Sequence, residues 1–251
     1  MIARFVFYVL ASCLCVAGSA LAEGGQHICD ADDPTLIWSD CGAVAHGELL
    51  LLPEDASLTP DGALDVTGVY TATDKRGEDK PKPVGLFVRD GTVISREYVR
   101  FDGVLVVEPE GEITIGFRRN YTFRGNAYDL EEPTLRARFI DDVAEAGASL
   151  AQSHLLIIDG RVDAAPVEGA PRFRRRILMQ AVDGTLGIYD SSPRALTLAE
   201  AAEEVAQKFA PAMALNLDMG SYDFCRDGTR LCGALTYEQT GKLSNMLRLT
   251  R

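Results

Sequence analysis

The sequence lacks most of the motifs by which common enzyme classes are recognised. It has no G-x-G-x-x-G, no G-x-x-x-x-G-K-[ST] phosphate loop, no G-x-S-x-G and no H-E-x-x-H. Dinucleotide-binding, nucleotide triphosphatase, serine hydrolase and zinc protease functions therefore have no support from motifs. Histidine is also scarce, and only His27, His46 and His154 are present. His154 directly follows Ser153, and neighbouring strand residues point to opposite faces, so these two would make a poor catalytic pair.

Positive charge is in the minority. The chain of 251 residues has 25 Lys and Arg against 37 Asp and Glu, a formal net charge of −12 at pH 7. A field of this sign repels phosphate backbones and anionic membrane surfaces, so we expect no nucleic-acid partner. The 47% of apolar and 25% of charged residues are typical of a globular protein and argue against a disordered, collagenous or coiled-coil chain.

Long apolar runs are absent after the N-terminus. Arg4 precedes an uncharged segment, Phe5–Val16, and Gly18–Ala22 supplies the small residues of an A-x-A cleavage site. This pattern predicts a signal peptide over residues 1–22, with a lipoprotein signal ending at Cys13 as the alternative. No later segment approaches the roughly 18 apolar residues of a membrane helix. We expect a periplasmic or secreted protein with no integral membrane segment after signal cleavage.

Cysteine is sparse, and four cysteines remain after the predicted cleavage. In an oxidising compartment, the pairs Cys29–Cys41 and Cys225–Cys232 are the simplest of three possible disulfide connectivities. A zinc site is the alternative, but the chain has no Cys-x-x-Cys pair and His27 is the single imidazole near Cys29. We therefore predict two disulfides and no metal.

Asp-Gly dipeptides recur along the chain and predict antiparallel hairpins, because this pair suits the positive φ angles of tight turns. Short apolar runs adjoin three of these dipeptides, at Asp90, Asp159 and Asp183. A fourth hairpin is predicted to turn at Glu110-Gly111. The body of the protein is therefore expected to be rich in antiparallel sheet.

Helical periodicity is clear in only two segments. The first extends from about Thr134 to Leu150. The second begins after Thr197, which forms a capping-box pattern with Glu200, and Pro211 ends it.

A buried strand is predicted over residues 213–217, and it delivers Asp218 to a loop at its carboxyl end, where scaffolds often display chemistry. The charged, proline-containing segment 71–83 is expected to be an exposed loop rather than a linker. We predict a single α+β domain over residues 23–251, with mostly antiparallel sheets built from hairpins and flanked by a few helices.

Five segments resemble, in order, the motif blocks of the phosphodiester glycosidase family. This is the family of the mannose 6-phosphate uncovering enzyme and of many exported bacterial proteins associated with exopolysaccharide. The segments are VTGVY at 66–70, KPVGLFVRDGTVIS at 82–95, AQSHLLIIDGRV at 151–162, RFRRRILMQAVDGTLGIY at 172–189 and LTLAEAAEEVAQKFAPAMALNLDMGS at 196–221. No single block is specific, but their order is informative.

The resemblance implies two catalytic residues. Asp218 matches the family aspartate at the end of its strand and would act as a base or a nucleophile toward an anomeric carbon. Arg175 matches the family arginine, and a guanidinium can bind two phosphate oxygens at once. The departing phosphate monoester is a weak base, so little help from a general acid is needed, and we expect no cofactor.

The resemblance also implies a set of substrate-binding residues around this pair. They are Gly68, Tyr70, Gln152, Ser153, Gly220 and Ser221. Each has an ordinary structural alternative, as a turn residue or as a half-buried strand residue. A structural alternative also exists for the arginine run, because arginines on the outer face of a strand commonly pair with nearby carboxylates. This run consists of Arg172, Arg174, Arg175 and Arg176.

The chain departs from the family pattern at several small residues. Val66 stands where the family has asparagine, Met219 where it has glycine, and Ser153-His154 replaces Ser-Gly-Pro. Glycines in such loops let a ligand approach the backbone, so bulky replacements should narrow the pocket.

Three functions follow from these patterns. The first is an exported hydrolase that cleaves or binds a sugar-1-phosphodiester in envelope or exopolysaccharide metabolism. The second is an inactive family member that binds a phosphorylated sugar or an anionic glycan, or acts as a periplasmic interaction protein. The third is a purely structural periplasmic domain, which would have no concave polar pocket around Asp218.

Overall fold

The computed structural model describes residues 28–29, 32–73 and 80–251. The predicted signal peptide and residues 74–79 of the charged loop lie outside the described residues. In chain order the strands are β1 (Leu36–Ser39), β2 (His46–Leu51), β3 (Ala63–Thr67), β4 (Thr71–Ala72), β5 (Lys82–Pro83), β6 (Leu86–Arg89), β7 (Thr92–Arg96), β8 (Gly103–Val107), β9 (Ile113–Phe117), β10 (Tyr121–Phe123), β11 (Asn126–Tyr128), β12 (Ser149–Ser153), β13 (Leu155–Ile158), β14 (Arg161–Val162), β15 (Arg176–Gln180), β16 (Leu186–Asp190), β17 (Met213–Leu217), β18 (Cys225–Asp227), β19 (Arg230–Leu231) and β20 (Asn245–Thr250).

The helices that lie wholly within the described residues are α1 (Pro133–Glu145), α2 (Leu198–Phe209) and two 3₁₀ turns, Gly220–Tyr222 and Tyr237–Lys242. Within the described part of the chain, neither α-helix has the length and apolar character that crossing a bilayer requires.

Three antiparallel sheets make up the body of the protein. The six-stranded sheet has the order β1-β16-β15-β17-β13-β14, and the two five-stranded sheets have the orders β7-β6-β12-β8-β9 and β19-β18-β3-β20-β2. Two ribbons, β4-β5 and β10-β11, complete the pairing. Sheets dominate over helices, so the α+β assignment is confirmed only in its antiparallel, sheet-rich part.

The four predicted hairpins are present as the pairs β6–β7, β8–β9, β13–β14 and β15–β16. Asp90 and Gly91 have φ angles of 45° and 74°, and Asp159 and Gly160 have φ angles of 49° and 74°. Two consecutive positive φ values are what a type I′ hairpin turn requires. The dipeptide signal therefore identified these two turns for the expected physical reason.

One of the two helix predictions needs correction. Helix α2 begins at the predicted capping box, in which Thr197 and Glu200 cap each other's backbone. Helix α1 was expected to reach Leu150 but ends at Glu145. Gly147, with a φ of 71°, breaks the helix, and strand β12 follows. The apolar residues after Gly147 fit a buried strand, which periodicity alone does not distinguish from a helix end.

The largest core cluster lies where the inner faces of the three sheets meet. It contains Leu178 and Leu215 of the six-stranded sheet, Phe87 and Leu105 of one five-stranded sheet, and Leu247 of the other. Helix α2 covers the outer face of the six-stranded sheet, and helix α1 covers the outer face of the β6-containing sheet. The six-stranded sheet is therefore buried on both faces.

The predicted Cys225–Cys232 disulfide is present, with its Cα atoms 4.9 Å apart. Cys29 and Cys41 are free thiols, and Cys41 Sγ lies 2.8 Å from Ser39 Oγ. Burial, together with the neighbouring Cys41, raises the pKa of Cys29 to about 12. Their pairing as a second disulfide stays a prediction.

Candidate functional site

Strand register brings Arg175 next to Asp218. Strands β15 and β17 are antiparallel neighbours, and Arg176 is the register partner of Leu217. One further step along the same register takes β15 back to Arg175 and β17 forward to Asp218. The two predicted catalytic residues therefore occupy the same end of two adjacent central strands.

The pleat places the functional side chains on one face of this sheet. Side chains two residues apart share a face, so Arg175 lies on the face of Ile177, and Asn216 and Asp218 lie on the face of Ala214. Ile177 and Ala214 pack in the cluster that includes residues of helix α2. The site therefore lies on the helix side of the sheet, at the end of two central strands.

A cavity of about 330 Å³ opens at this end of the two strands. Its wall is formed by Tyr70, Pro171, Phe173, Arg175, Leu198, Asn216, Leu217, Asp218, Met219, Gly220 and Ser221. Both predicted catalytic residues line it, together with three predicted substrate-binding residues, Tyr70, Gly220 and Ser221. This volume lies within the usual range for small-molecule sites.

Asp218 is a buried carboxyl group, with only 6% of the residue exposed. Its Oδ2 accepts a hydrogen bond from the Thr71 backbone N–H at 3.0 Å, and its Oδ1 accepts one from the Met219 N–H at 2.9 Å. Burial raises the pKa of Asp218 to about 6, against the lowering effect of these two backbone donors. Asp218 is therefore mostly ionised at neutral pH but can take up a proton readily.

Arg175 is a buried residue whose guanidinium donates to backbone carbonyl groups. Its Nε donates to the Leu196 carbonyl at 2.9 Å, its Nη2 donates to the Pro171 carbonyl at 3.2 Å, and its Cζ lies 5.4 Å from the centroid of the Phe173 ring. Burial lowers the pKa of Arg175, while the neighbouring Tyr70 opposes this effect. Within the described residues no carboxylate forms an ion pair with Arg175, although the residue is only 7% exposed.

The other arginines of the run behave differently. Arg172 pairs with Glu200 at 2.7 Å, and Arg174 lies 3.4 Å from a carboxylate oxygen of Asp223. Arg176 is fully buried rather than on an outer strand face. A strand-face prediction fails for Arg176 because its side chain points into the core, opposite to that of Arg175.

Arg176 has carboxylate partners, whereas Arg175 has none among the described residues. The Nη2 atom of Arg176 lies 2.6 Å from Asp190 Oδ2 and 3.0 Å from Asp223 Oδ1. Buried charges are normally paired, so an unpaired guanidinium in a cavity wall is well placed for an anionic ligand. The run therefore divides into three paired arginines and one available one.

Asn216 is a site residue that sequence reasoning did not identify. Its Nδ2 donates to the Tyr70 hydroxyl at 2.6 Å, but its Oδ1 is buried without a hydrogen-bond partner within the described residues. The residue is only 2% exposed and lines the cavity. A buried acceptor without a partner can receive a donor from a bound ligand. The available signal was an amide within the otherwise apolar strand MALNL.

Tyr70 is held between Asn216 and an aromatic neighbour. Its ring centroid lies 5.0 Å from that of Phe101. Burial and the charge of Asp218 raise the pKa of Tyr70 to about 12, so its phenol stays protonated at physiological pH. It can therefore offer both an apolar face and a hydroxyl to a sugar.

Gly68 is predicted to bind substrate but does not line the cavity. Its carbonyl accepts a hydrogen bond from the Asp218 N–H at 2.8 Å. A Cβ at this position would lie 2.1 Å from Asn245 Oδ1. The missing side chain allows the close packing that positions Asp218.

Gln152 and Ser153 also lie outside the cavity wall, and both are fully buried. Gln152 Nε2 donates to the Val99 and Phe101 carbonyls, both at 2.9 Å. Ser153 Oγ donates to the Asn216 carbonyl at 2.6 Å. The structure therefore uses their polar groups within the protein, where they support the site rather than face a ligand.

Met219 replaces the glycine of the family pattern and lines the cavity without filling it. The residue is mostly buried, and about 330 Å³ remains beside it. Gly220, with a φ of 79°, and Ser221 form the exposed 3₁₀ turn that follows. Within the described residues, no group of three or more His, Cys, Asp or Glu side chains is arranged to hold a metal ion.

Solved structures with a similar fold share this topology at low sequence identity. The zebrafish N-acetylglucosamine-1-phosphodiester alpha-N-acetylglucosaminidase catalytic domain, auto-inhibited by its pro-peptide, matches with a TM-score of 0.52 and 13% identity. The match covers 82% of this chain and 73% of that one. The fold is phosphodiester glycosidase-like.

Two further solved structures are similar to this chain in fold. A predicted exported protein from Burkholderia pseudomallei matches with a TM-score of 0.51 and 13% identity, over 83% of this chain and 72% of that one. A hypothetical protein from Synechocystis matches with a TM-score of 0.50 and 12% identity, over 84% of this chain and 57% of that one. No protein-family model and no curated protein sequence matches the chain.

Proposed function

We propose that this protein hydrolyses a sugar that is joined through its anomeric oxygen to a phosphodiester. The observation that carries the proposal is that one cavity holds both a buried carboxylate and a buried guanidinium that no carboxylate among the described residues neutralises. Asp218 would act as the base for attack of water on the anomeric carbon, and Arg175 would bind the phosphate. Opposite charges that do not neutralise each other remain available to a substrate that needs both.

The proposed step needs one base and one cation. Asp218 takes a proton from water, and the water oxygen forms a bond to the anomeric carbon. The bond between that carbon and the phosphate oxygen breaks, and its electron pair leaves with the phosphate. The products are a free sugar and a phosphate monoester with one more negative charge than the diester, which Arg175 stabilises.

The pKa of Asp218 suits this role. A general base works best when its pKa lies near the working pH, and burial brings Asp218 to about 6. The departing monoester has a second pKa of about 6, so it leaves without being protonated. One carboxylate is therefore sufficient, which distinguishes this chemistry from ordinary glycoside hydrolysis with its pair of carboxyl groups.

Three groups of the wall would bind the sugar. Asn216 Oδ1 would accept a hydrogen bond from a hydroxyl or N–H group, which would supply the partner that it lacks. Tyr70 would pack against the ring, and Ser221 would hydrogen-bond to ring substituents. Gly68, Gln152 and Ser153 would keep these groups in place from behind.

The structural comparisons support the reaction class. The zebrafish enzyme acts, by its name, on an N-acetylglucosamine-1-phosphodiester. The Cys225–Cys232 disulfide and the exported structural neighbour support an extracellular or periplasmic protein. A role in envelope or exopolysaccharide metabolism, with a phosphorylated sugar or an anionic glycan as ligand, is part of the proposal.

Met219 favours a second candidate, a protein that binds such a glycan without cleaving it. Its side chain stands in the cavity wall where the family pattern has glycine. A side chain there would displace the substrate if it occupied the space needed by the anomeric carbon. Binding without turnover would support this second candidate.

An assay with matched variants tests the proposal. The mature protein is incubated with aryl and alkyl diesters of hexose 1-phosphates, and release of the free sugar is measured. We expect Asp218→Asn to lower kcat/KM by at least 100-fold, since removal of a general base costs about 10² to 10⁴ in rate. Asp61→Asn, at an exposed turn residue outside the cavity wall, should leave kcat/KM unchanged.

Two outcomes of this assay would count against hydrolysis. Equal activity of the wild-type protein and Asp218→Asn would contradict the role of Asp218. Tight binding of the diesters with no release of sugar would support the binding candidate instead.

A further inference from the structure

A second cavity, of about 450 Å³, adjoins the Asp218 cavity. The two cavities share three wall residues, Pro171, Arg175 and Leu198. Arg175 therefore stands between two spaces, and a phosphate bound to it can extend one ester oxygen into each. A phosphodiester has two such ester oxygens, one to the sugar and one to a second alcohol.

The wall of this second cavity is mostly apolar and made of small side chains. Nine of its fourteen lining residues are alanine, valine, leucine or proline, among them Leu156, Ala164, Ala165, Val167 and Ala199. A second sugar there would lose its hydrogen bonds to water without gaining enough partners. A hydrocarbon group would instead gain from burial, at about 0.8 kcal/mol per methylene.

The acidic residues of this wall are Asp102 and Asp163. Asp102 Oδ1 accepts a hydrogen bond from the Leu155 N–H at 2.7 Å and lies 3.9 Å from His154 Nδ1. Asp163 lines the same wall, and burial together with the charge of the nearby Asp102 raises the pKa of Asp163. Two neighbouring carboxyl groups would repel a second phosphate or a carboxylate on the ligand.

His154 contributes an aromatic rather than a charged surface. Its ring centroid lies 4.4 Å from that of Phe101, and burial lowers the pKa of His154 although Asp102 opposes this effect. The neutral imidazole is therefore favoured at physiological pH. Apart from Arg175, this wall therefore presents no free positive charge to an anionic ligand.

We propose that the second cavity binds the alcohol half of the substrate and that this alcohol is hydrophobic, as in an alkyl or isoprenoid ester, rather than a second sugar. The inference rests on the proposed function, because Arg175 must hold the phosphate for the two halves to separate in this way. The sugar half occupies the polar cavity of Asp218 and Asn216. The hydrocarbon half lies against Ala165, Val167 and Ala199.

Affinity for a matched pair of ligands tests this subsite. Methyl and octyl esters of several hexose 1-phosphates are titrated into the mature Asp218→Asn protein, which removes the base and allows binding to be measured. Burial of two methylenes gives about 1.6 kcal/mol, so we expect the octyl ester to bind at least tenfold more tightly than the methyl ester. An octyl glycoside without phosphate should bind weakly, because it lacks the group that Arg175 holds.

Two variants distinguish binding in this subsite from nonspecific hydrophobic binding of the octyl chain. In the Asp218→Asn protein, Ala165→Trp should reduce the octyl preference to less than threefold and leave methyl ester affinity unchanged, because the indole occupies the space of the alkyl chain. Ala165 is exposed in its loop, so the substitution leaves the core intact. Ala127→Trp, on the exposed β11 strand outside both cavity walls, should leave the preference intact. Val167→Ser is a second probe, with an expected loss of threefold or more for the octyl ester only.

The outcomes distinguish the two proposals. Equal affinity for methyl and octyl esters, or an octyl preference that both Ala165→Trp and Val167→Ser leave intact, would overturn the hydrophobic subsite while sugar-1-phosphodiester binding stands. Binding of neither ester for any hexose would overturn the proposed function and the subsite with it. Octyl glycoside binding as tight as that of the octyl ester would show that the phosphate is not held, which also overturns both.

Discussion

Two adjacent arginines lie in contrasting environments. Arg176 faces the core, where Asp190 and Asp223 neutralise it. Arg175 faces the helix side of the same sheet, where a carboxylate, Asp218, lines the same cavity but forms no ion pair with it within the described residues. A satisfied buried cluster stabilises one conformation, whereas separated opposite charges keep their capacity to bind a ligand.

The pKa values of the carboxyl groups reflect the same contrast. Burial alone would raise the pKa of Asp190, but the charge of Arg176 and hydrogen bonds from Ser192 outweigh burial and lower it. Burial raises the pKa of Asp218 to about 6, against the lowering effect of the hydrogen bonds from two backbone groups. The core cluster is therefore expected to serve stability and the cavity to serve chemistry.

The largest expected effect comes from breaking the core cluster. Arg176→Met leaves two buried carboxylates without their guanidinium partner, and we expect the free energy of unfolding to fall by about 3–5 kcal/mol. Urea denaturation of the mature protein measures this loss. The matched variant Arg175→Met removes an unpaired charge and should change stability by less than about 1.5 kcal/mol while abolishing phosphodiester binding.

A reversal of this pattern would contradict the contrast between the two arginines. If Arg175→Met were the more destabilising variant, Arg175 would be a structural residue and the cavity would lack its anion-binding group. Retention of diester affinity in Arg175→Met would have the same implication.

The second effect has the opposite sign, since Asp218→Asn should stabilise the protein. The pKa of Asp218 rises from its ordinary value of 3.8 to about 6 on folding, so the folded state binds its proton more tightly than the unfolded state does. The tighter binding of this proton stabilises the folded state fully below about pH 4, and the stabilisation is lost as the pH rises through about 6. At 1.36 kcal/mol per pKa unit, the variant should gain up to about 3 kcal/mol over the wild type above pH 6 and nothing near pH 4.

Thermal unfolding at pH 4 and pH 7.5 checks this sign. Asp61→Asn serves as the control, because Asp61 is an exposed turn residue outside the cavity wall. An Asp218→Asn variant that is less stable than the wild type at pH 7.5 would show that the backbone hydrogen bonds to Asp218 outweigh the cost of its burial.

The smallest expected effect concerns the sugar side of the cavity. Tyr70→Phe removes the hydroxyl that accepts from Asn216 Nδ2, and we expect a loss of about 0.5–1.5 kcal/mol in stability. The amide of Asn216 then loses its fixed orientation, so KM for a sugar-1-phosphodiester should rise several-fold with little change in kcat. Tyr98→Phe is the matched control, because Tyr98 packs against Arg136 and lies outside both cavity walls. Equal KM values for both variants would exclude Asn216 from sugar binding.

The local elements could be predicted from sequence because their signals are local. Asp90-Gly91 and Asp159-Gly160 adopt the positive φ angles that the dipeptide favours, and Thr197 with Glu200 caps helix α2 as its spacing predicts. The end of helix α1 could not be predicted in the same way. The apolar residues after Gly147 fit a helix face and a buried strand equally well, and tertiary packing makes them strand β12.

The site depended on information that a single sequence does not contain. Asp218 and Arg175 could be named from the motif blocks, but their proximity depends on the register of β15 and β17, which are joined through β16 and helix α2. The pairing of Arg176 and the vacant acceptor of Asn216 likewise arise from long-range packing. Gln152 and Ser153 match the motif, yet internal hydrogen bonds occupy their side chains, which sequence does not reveal.

The most direct test of the central claim is a crystal structure of the Asp218→Asn variant with a hexose 1-phosphodiester bound. The account predicts a phosphate oxygen about 2.8 Å from a guanidinium nitrogen of Arg175, with the anomeric carbon facing residue 218 and a sugar donor on Asn216 Oδ1. A phosphate held by Arg172 or Arg174 on the surface, with the cavity left unoccupied at saturating ligand, would contradict it.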